Sequence, residues 1–542
     1  MLTLYDHQKE ALEYFKDKDE ICLFFEMGCG KTLTCLKIAE DKFKRGIIDS
    51  LLVIAPNDVH YQWFKDIVSP AEGAITMLDV PFHCQCVGGR KGRKQLVEFD
   101  NDNKLHIVTV NVDTFSTPTK WKAIVDWANS CKCMIAIDEA TIIKNPTSKR
   151  AQRILYEFNN VVKRGKTVIS STKKCPVRAV LTGTPVTNGP MDLWSIMEFV
   201  KPNYFGRNYY SFREYYGMFT RLSVPTGAGS REIPILLTEA TWKGIKNSTS
   251  YLEAACLFGC SEDTYLTIKH QDRFLGPYKH ADELKQRIAP VSIFKKLTDC
   301  VDMPEQVYIT RDVSLGPAQE ACYNSMKNQL LAQYDGYTTT AANKLTASMR
   351  LAQISSGFIM GSKQLEVDFN SFDIDNFYDE NYDVMPDEVV WLDNVPKLDA
   401  LMRDIAELDK PIIIITRFTA EAAKIYELCK EQYSTCLITG WKTVGSIDDF
   451  KEGKYDIMVA NSAKIHRGFN LQIAHTTLFY SNTFSMEIRQ QSEFRTFRIG
   501  QKNTCMYVDY IASPADKTII TALRLKKNLL DYIREADIKE LV

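Results

Sequence analysis

The chain has 542 residues, too many for one core, and at roughly 150 residues per domain that length suggests about three domains. Hydrophobic residues at 45% and charged residues at 25% are ordinary globular values. The net charge of −1 argues against nucleic-acid binding over the whole surface but leaves room for a local basic groove. Apolar runs such as 51–55 and 412–415 are too short to span a bilayer, so no membrane segment is expected. No basic stretch followed by an apolar core opens the chain, so no secretory signal is expected. Fifteen cysteines scattered through so long a chain suit reduced thiols better than a disulfide framework. The pairs Cys84/Cys86 and Cys131/Cys133 have C-x-C spacing, which suits strand packing better than a zinc site.

In chain order, the first strong pattern is residues 21–32, I-C-L-F-F-E-M-G-C-G-K-T. An apolar run, two glycines, a lysine and a threonine precede apolar residues at helical spacing, the order strand, phosphate loop, helix. Gly28 and Gly30 let the backbone of Met27, Cys29 and their neighbours turn N–H groups inward at one anion, and the helix adds its positive end. Lys31 then reaches the β- and γ-phosphates of ATP, and Thr32 holds Mg2+. Phe25 stands where the usual first glycine of such loops would be. By itself the loop also reads as a plain glycine turn.

Further short apolar runs at 51–55, 106–110, 134–137 and 179–182 read as parallel strands buried on both faces. The run at 134–137 stops at Asp138 and Glu139, two acids beside a core, which is costly unless something needs them. Magnesium held by Asp138, with Glu139 as general base for an attacking water, supplies the need. Helix-capping acids are the plainer alternative.

From about 201 to 390 the alternation is lost. Residues 204–219 are rich in aromatics, 222–242 carry Pro, Gly and Ser, and helices are expected at 281–296 and 317–334. Residues 364–395 hold ten acidic residues and no Lys or Arg, a solvated loop or an acidic gate over a DNA groove. From about 394 strands return at 411–416, 434–439, 456–460, 476–480 and 505–511, with a closing helix at 518–541. Arg495 and Arg498, three apart, are expected on one helical face, where two guanidinium groups can neutralise charge on a γ-phosphate. A solvated basic face reads the same way.

The expected architecture is α/β: two RecA-like parallel-sheet lobes in tandem, with a mainly helical insert and linker between them. The boundaries are 1–221, an ATP-binding lobe; 222–393, the insert with its acidic segment; and 394–542, a second lobe.

These motifs resemble, in order, those of SWI/SNF-type DNA translocases, ATPases of helicase superfamily 2. Residues 4–8, L-Y-D-H-Q, are similar to the adenine-reading Q motif with Gln8 as its glutamine, and 26–32 to the family's E-M-G-x-G-K-T. Ala55-Pro56-Asn57 with Trp63, and 181–188 with Leu193 and Trp194, fit the next two motifs. Residues 416–419, 468–471 and 491–501 (Q-S-E-F-R-T-F-R-I-G-Q) fit the last three. Thr141 and Thr187 stand where the family has histidine and glutamine, which touches the coupling of nucleotide to DNA more than hydrolysis.

The resemblance implies ATP and Mg2+ as cofactors and double-stranded DNA as the track, gripped through phosphates by Asn57, Asn111, Thr184, Arg417, Arg467 and Asn470. It implies an ATP hydrolase that moves on duplex DNA, remodelling it or protein–DNA complexes. The alternatives are a helicase that separates strands or processes forks and branches, and a nucleotide-switched DNA-binding scaffold with little turnover. The insert at 222–393 is a possible docking site for a protein partner. Compactness suits a cytoplasmic protein of a bacterial or phage-infected cell, with a nuclear location left open.

Overall fold

The computed structural model describes residues 3–534 except 58, 69–76, 90–91, 94, 98, 100–101, 160, 165–166, 171–174, 188, 207, 227–228, 272–276, 342–343, 364–387, 441 and 466–469. It divides into two compact units: Met1–Asp302 with Leu525–Val542, and Met303–Arg524.

In the first unit, helix α1 (Asp6–Phe15) precedes strand β1 (Glu20–Phe25), helix α2 (Lys31–Lys44), β2 (Ser50–Ala55) and α3 (Val59–Val68). Then come β3 (Phe82–Val87), β4 (Leu105–Asn111), β5 (Cys133–Asp138), β6 (Val177–Leu181) and α4 (Asp192–Val200). All six residues of β2 and of β5 are buried. Successive side chains on a strand point to opposite faces, so a fully buried strand needs cover on both sides of its sheet.

After α4 the chain leaves the sheet. A hairpin of β7 (Phe219–Thr226) and β8 (Gly229–Leu236) leads to helices Glu239–Asn247, Tyr251–Phe258 and Glu262–His270. Met218, Leu237, Trp242, Ile245, Ala254, Cys260 and Ile268 form a small core of their own there. The chain then returns as β9 (Ser292–Lys295), which pairs parallel with β1, and a single turn, α5 (Leu297–Cys300). The first sheet runs β9-β1-β6-β5-β2-β4-β3, all parallel.

The second unit opens with β10 (Gln306–Asp312) and carries β11 (Ile412–Thr416), β12 (Thr435–Ile438), β13 (Thr443–Val444), β14 (Ile457–Asn461), β15 (Thr476–Phe479) and β16 (Cys505–Ile511). Its sheet runs β10-β16-β15-β11-β14-β12-β13, parallel except for β12 with β13. A smaller sheet of Leu331–Tyr334, Tyr337–Thr340, Phe358–Lys363 and Glu388–Trp391 sits between β10 and β11 in sequence.

The expected pair of α/β lobes is therefore present, divided differently from the sequence reading. Residues 222–302 belong to the first unit and 303–393 to the second. The reason is β9 and β10, two edge strands with too little apolar character to announce themselves. The helix expected at 281–296 is a correction too: it spans Ala281–Ile288 and stops before Pro290, which cannot continue an α-helix. Likewise the helix expected at 317–334 ends at Gln329, and Leu330 turns left-handed into a strand. The acidic stretch 364–395 lies mostly outside the described residues; its last part forms the strand Glu388–Trp391.

Candidate nucleotide site

Because the first sheet is parallel, the carboxyl ends of β1, β2, β4, β5 and β6 line one edge, where loops are free to build a site. Between β1 and α2, Gly28 and Gly30 have φ of +92° and +73°. A β-carbon makes that conformation cost about 1 kcal/mol or more. Gly30 is the N-cap of α2, and no side chain caps that helix end, which leaves its first-turn N–H groups for an anion.

A β-carbon on Gly30 would also come within 2.4 Å of Gln8 Nε2. That amide donates to the Gly30 carbonyl at 3.2 Å while Gln8 Oε1 accepts from Tyr5 N at 3.0 Å. Gln8 thus staples α1 to the loop. The Lys31 ammonium lies over the loop's start, donating to the carbonyls of Phe25 at 3.0 Å and Glu26 at 3.3 Å. Met27 and Thr32 are half-buried and Cys29 is buried.

β5 ends at Asp138, 6% exposed. Its Oδ2 accepts from Trp63 Nε1 at 2.7 Å, and its Oδ1 accepts from the Glu139 amide at 2.9 Å. Each carboxylate oxygen keeps a further lone pair. Burial, with the charge of Asp138 adding to it, raises the thiol of Cys35, one turn along α2 from Thr32. Glu139 sits at φ +50°, a left-handed conformation that costs about 1–3 kcal/mol at a residue with a β-carbon. The loop after β6 closes on the first one: a β-carbon on Gly183 would lie 3.2 Å from the Phe25 carbonyl. A glycine nest, a lysine at its rim and an oriented buried carboxylate beside α2 fit a nucleoside triphosphate with magnesium.

The DNA-contact candidates of the first unit fall on the same edge. Asn111 Nδ2 donates to Asn57 Oδ1 at 3.3 Å, and Thr184 is buried with its amide donating to Thr182 Oγ1 at 3.1 Å. Asn111 and Thr184 are each only 6% exposed.

In the second unit, Arg417 follows β11. Its amide donates to Glu421 and Ser481, and its guanidinium lies over the Phe418 ring, 4.9 Å from the centroid. Burial lowers the pKa of Arg417, and it lowers that of Arg498 as well. Asn470 is exposed, and Arg467 lies outside the described residues.

Arg495 and Arg498 do not share a helical face. The helix spans Met486–Glu493, and both arginines lie in the turns beyond it. Phe494 and Phe497, 8% and 2% exposed, draw that segment into the core, and the amides of Thr496 and Phe497 both donate back to the Glu493 carbonyl. Arg495 is 2% exposed, and its carbonyl accepts from Leu471 N at 2.9 Å. Gln501 Nε2 donates to the carbonyls of Gln472, Ala474 and Thr496, tying the segment containing 470 to the one containing 495.

Trp63, Glu26 and Thr187 stand in the motifs, but the positioning contacts they make carry no sequence signal. Glu26 Oε2 accepts from Leu297 N at 2.9 Å, across 271 positions. Thr187 Oγ1 donates to Asp192 Oδ2 at 2.7 Å and accepts from Lys144 Nζ at 2.9 Å.

A family model described as the SNF2-related domain matches residues 7–358. Among curated proteins, the chain is 26% identical over 189 residues to the chromatin-remodeling ATPase INO80 of Schizosaccharomyces pombe, covering 33% of this chain and 10% of that protein. It is 27% identical over 229 residues to INO80 of Arabidopsis thaliana (40% and 13%) and 27% over 180 residues to the helicase SWR1 of Mycosarcoma maydis (33% and 8%). The match thus spans about a tenth of the length of these relatives. Their fungal and plant sources give no support to the bacterial or phage setting expected from the sequence. A solved Sulfolobus solfataricus SWI2/SNF2 ATPase core in complex with dsDNA is 18% identical, covering 100% of this chain and 96% of its own, at a TM-score of 0.36. Among the described residues, no helix is long and apolar enough to cross a membrane.

Proposed function

The chain belongs to the SNF2-related domain family, and from that premise we propose that it is an ATP-dependent motor that translocates on double-stranded DNA, remodelling DNA or protein–DNA complexes. The observation that carries this reading is the edge of the first sheet. There a glycine nest at a helix N-terminus, Lys31, and the Asp138–Glu139 pair come together.

The N–H groups of 28–32 and the Lys31 ammonium bind the β- and γ-phosphates of ATP, and Gln8 lies against the same loop to meet the base. Thr32 and Asp138 hold magnesium, which when bound neutralises charge on the phosphates. Glu139 takes the proton of the attacking water. Arg495 and Arg498 are the groups assigned to γ-phosphate charge. Asn57, Asn111, Thr184, Arg417, Arg467 and Asn470 are assigned to DNA phosphates, contacts without sequence preference that weaken with salt. Leu252, Leu257 and Leu266, 78%, 65% and 48% exposed, support a protein partner on the helices after β8.

The test is ATP turnover without nucleic acid and with single-stranded, duplex and forked DNA, for the parent chain, Lys31→Ala and Glu139→Gln. Strong stimulation by duplex, lost in both variants, is expected. Stimulation by forks alone would replace the motor with a strand-separating helicase. Nucleotide binding without turnover would leave a switched scaffold, the reading that Thr141 and Thr187 keep open.

A further inference from the structure

Three groups that the proposed turnover does not use meet beside the phosphate loop. Cys29 stands between the two left-handed glycines and is 2% exposed. Its thiol is a neighbour of that of Cys300, the last residue of α5, and its Sγ reaches the Lys295 carbonyl at 3.9 Å. Cys300, half-buried, also neighbours the His7 imidazole, whose Nε2 lies 2.9 Å from the Cys29 carbonyl oxygen. Two more contacts press α5 against the loop. One is the bond from Leu297 N to Glu26; the other is the Leu297 side chain, 3.4 Å from where a β-carbon on Gly28 would stand. The backbones that carry the two thiols are therefore held against each other.

We propose that Cys29 and Cys300 are a thiol–disulfide pair through which a peroxide closes the phosphate loop to nucleotide. This rests on reading the loop as the nucleotide site. The Cys300 thiolate attacks one oxygen of hydrogen peroxide; the O–O bond breaks, and the departing hydroxide takes a proton and leaves as water. Cys300 is then a sulfenic acid. Cys29 gives its proton to His7 and attacks the Cys300 sulfur. The S–O bond breaks, and the hydroxyl leaves with that proton as a second water. The two thiols lose two electrons, and one peroxide becomes two waters.

The surroundings assign the roles. The neighbouring Cys29 thiol, aided by His7 against burial, holds the Cys300 thiol well below the usual thiol range. The Cys300 thiol beside it and burial push Cys29 up. Burial presses His7 towards its neutral form, but the neighbouring Cys300 thiol and the bond to the Cys29 carbonyl prevail and raise it. Cys300 is thus the attacking thiol and Cys29 the resolving one. A disulfide brings the two β-carbons to about 3.5–4.5 Å, which draws the loop onto α5 and fixes a backbone that must be free to wrap an anion. It also ties the loop to residue 300, two positions before the division between the units.

The experiment treats the parent chain, Cys300→Ser and Cys29→Ala with hydrogen peroxide, alkylates remaining thiols, and maps linked peptides by mass spectrometry. A fluorescent ATP analogue titrated into the parent and Cys300→Ser follows binding. The expected result is a peptide joining 29 and 300 in the parent only, reversed by dithiothreitol. With it comes an at least tenfold loss of nucleotide affinity that Cys300→Ser does not show. No 29–300 peptide in the parent overturns the pair, and a linked peptide with unchanged affinity overturns the switch. A parent that forms the peptide when oxidised but binds no nucleotide when reduced overturns the nucleotide reading and keeps the pair.

Discussion

Trp63→Phe isolates the bond that orients Asp138. The indole N–H donates to the carboxylate at 2.7 Å, with Trp63 and Asp138 only 2% and 6% exposed. A hydrogen bond to a charged group contributes about 1.5–3 kcal/mol, and the ring atoms lost from indole to phenyl add about 1 kcal/mol. The variant should therefore lose about 2.5–4 kcal/mol in urea unfolding. A double-mutant cycle with Asp138→Ala separates the two parts: the packing loss remains in both backgrounds, whereas the bond appears as a coupling of about 1.5–3 kcal/mol. Turnover should fall about 10–100-fold, as when a group behind a metal ligand is removed. A coupling below about 0.5 kcal/mol, or full turnover in Trp63→Phe, would refute the assignment of Trp63 as the residue that positions Asp138.

Gly30→Ala meets both a φ of +73° and the Gln8 amide at 2.4 Å; nucleotide affinity should fall at least tenfold. Adding Gln8→Ala should relieve the clash but not the backbone strain of about 1–2 kcal/mol, as calorimetry would show. Thr187→Val removes the hydroxyl between Lys144 and Asp192 and should cost about 1.5–3 kcal/mol in urea unfolding. Burial pushes Glu198 up to about 7, although the Asn203 amide it accepts from pulls it back. Its folded pKa therefore lies above its unfolded one, so this contribution to stability is complete below about pH 4.5 and lost as pH rises through about 7. Glu198→Gln should then be more stable than the parent at pH 8 by about 1–2 kcal/mol, allowing for solvent at a half-buried group, and no more stable at pH 4.

Much of the fold could be read from local pattern. The runs at 51–55 and 134–137 read as doubly buried strands, and β2 and β5 are buried at every position. What misled was context. Ser292-Ile-Phe-Lys295 has no strand signal by itself and is a strand because β1 offers it an open edge. Arg495 and Arg498 have helical spacing, but burial of Phe494 and Phe497 outweighs the three-residue period.

The amino-acid order alone determined that a glycine loop with a lysine follows one buried strand and that two acids end another. Those features depend on neighbours a few residues apart, on backbone sterics and on side-chain period. Only the tertiary structure decided that Trp63 braces Asp138, that Gln8 staples the loop, and that Cys300 lies against Cys29. Each of those pairs joins positions 22 to 271 residues apart, and contacts at such separations arise when parallel strands are ordered side by side.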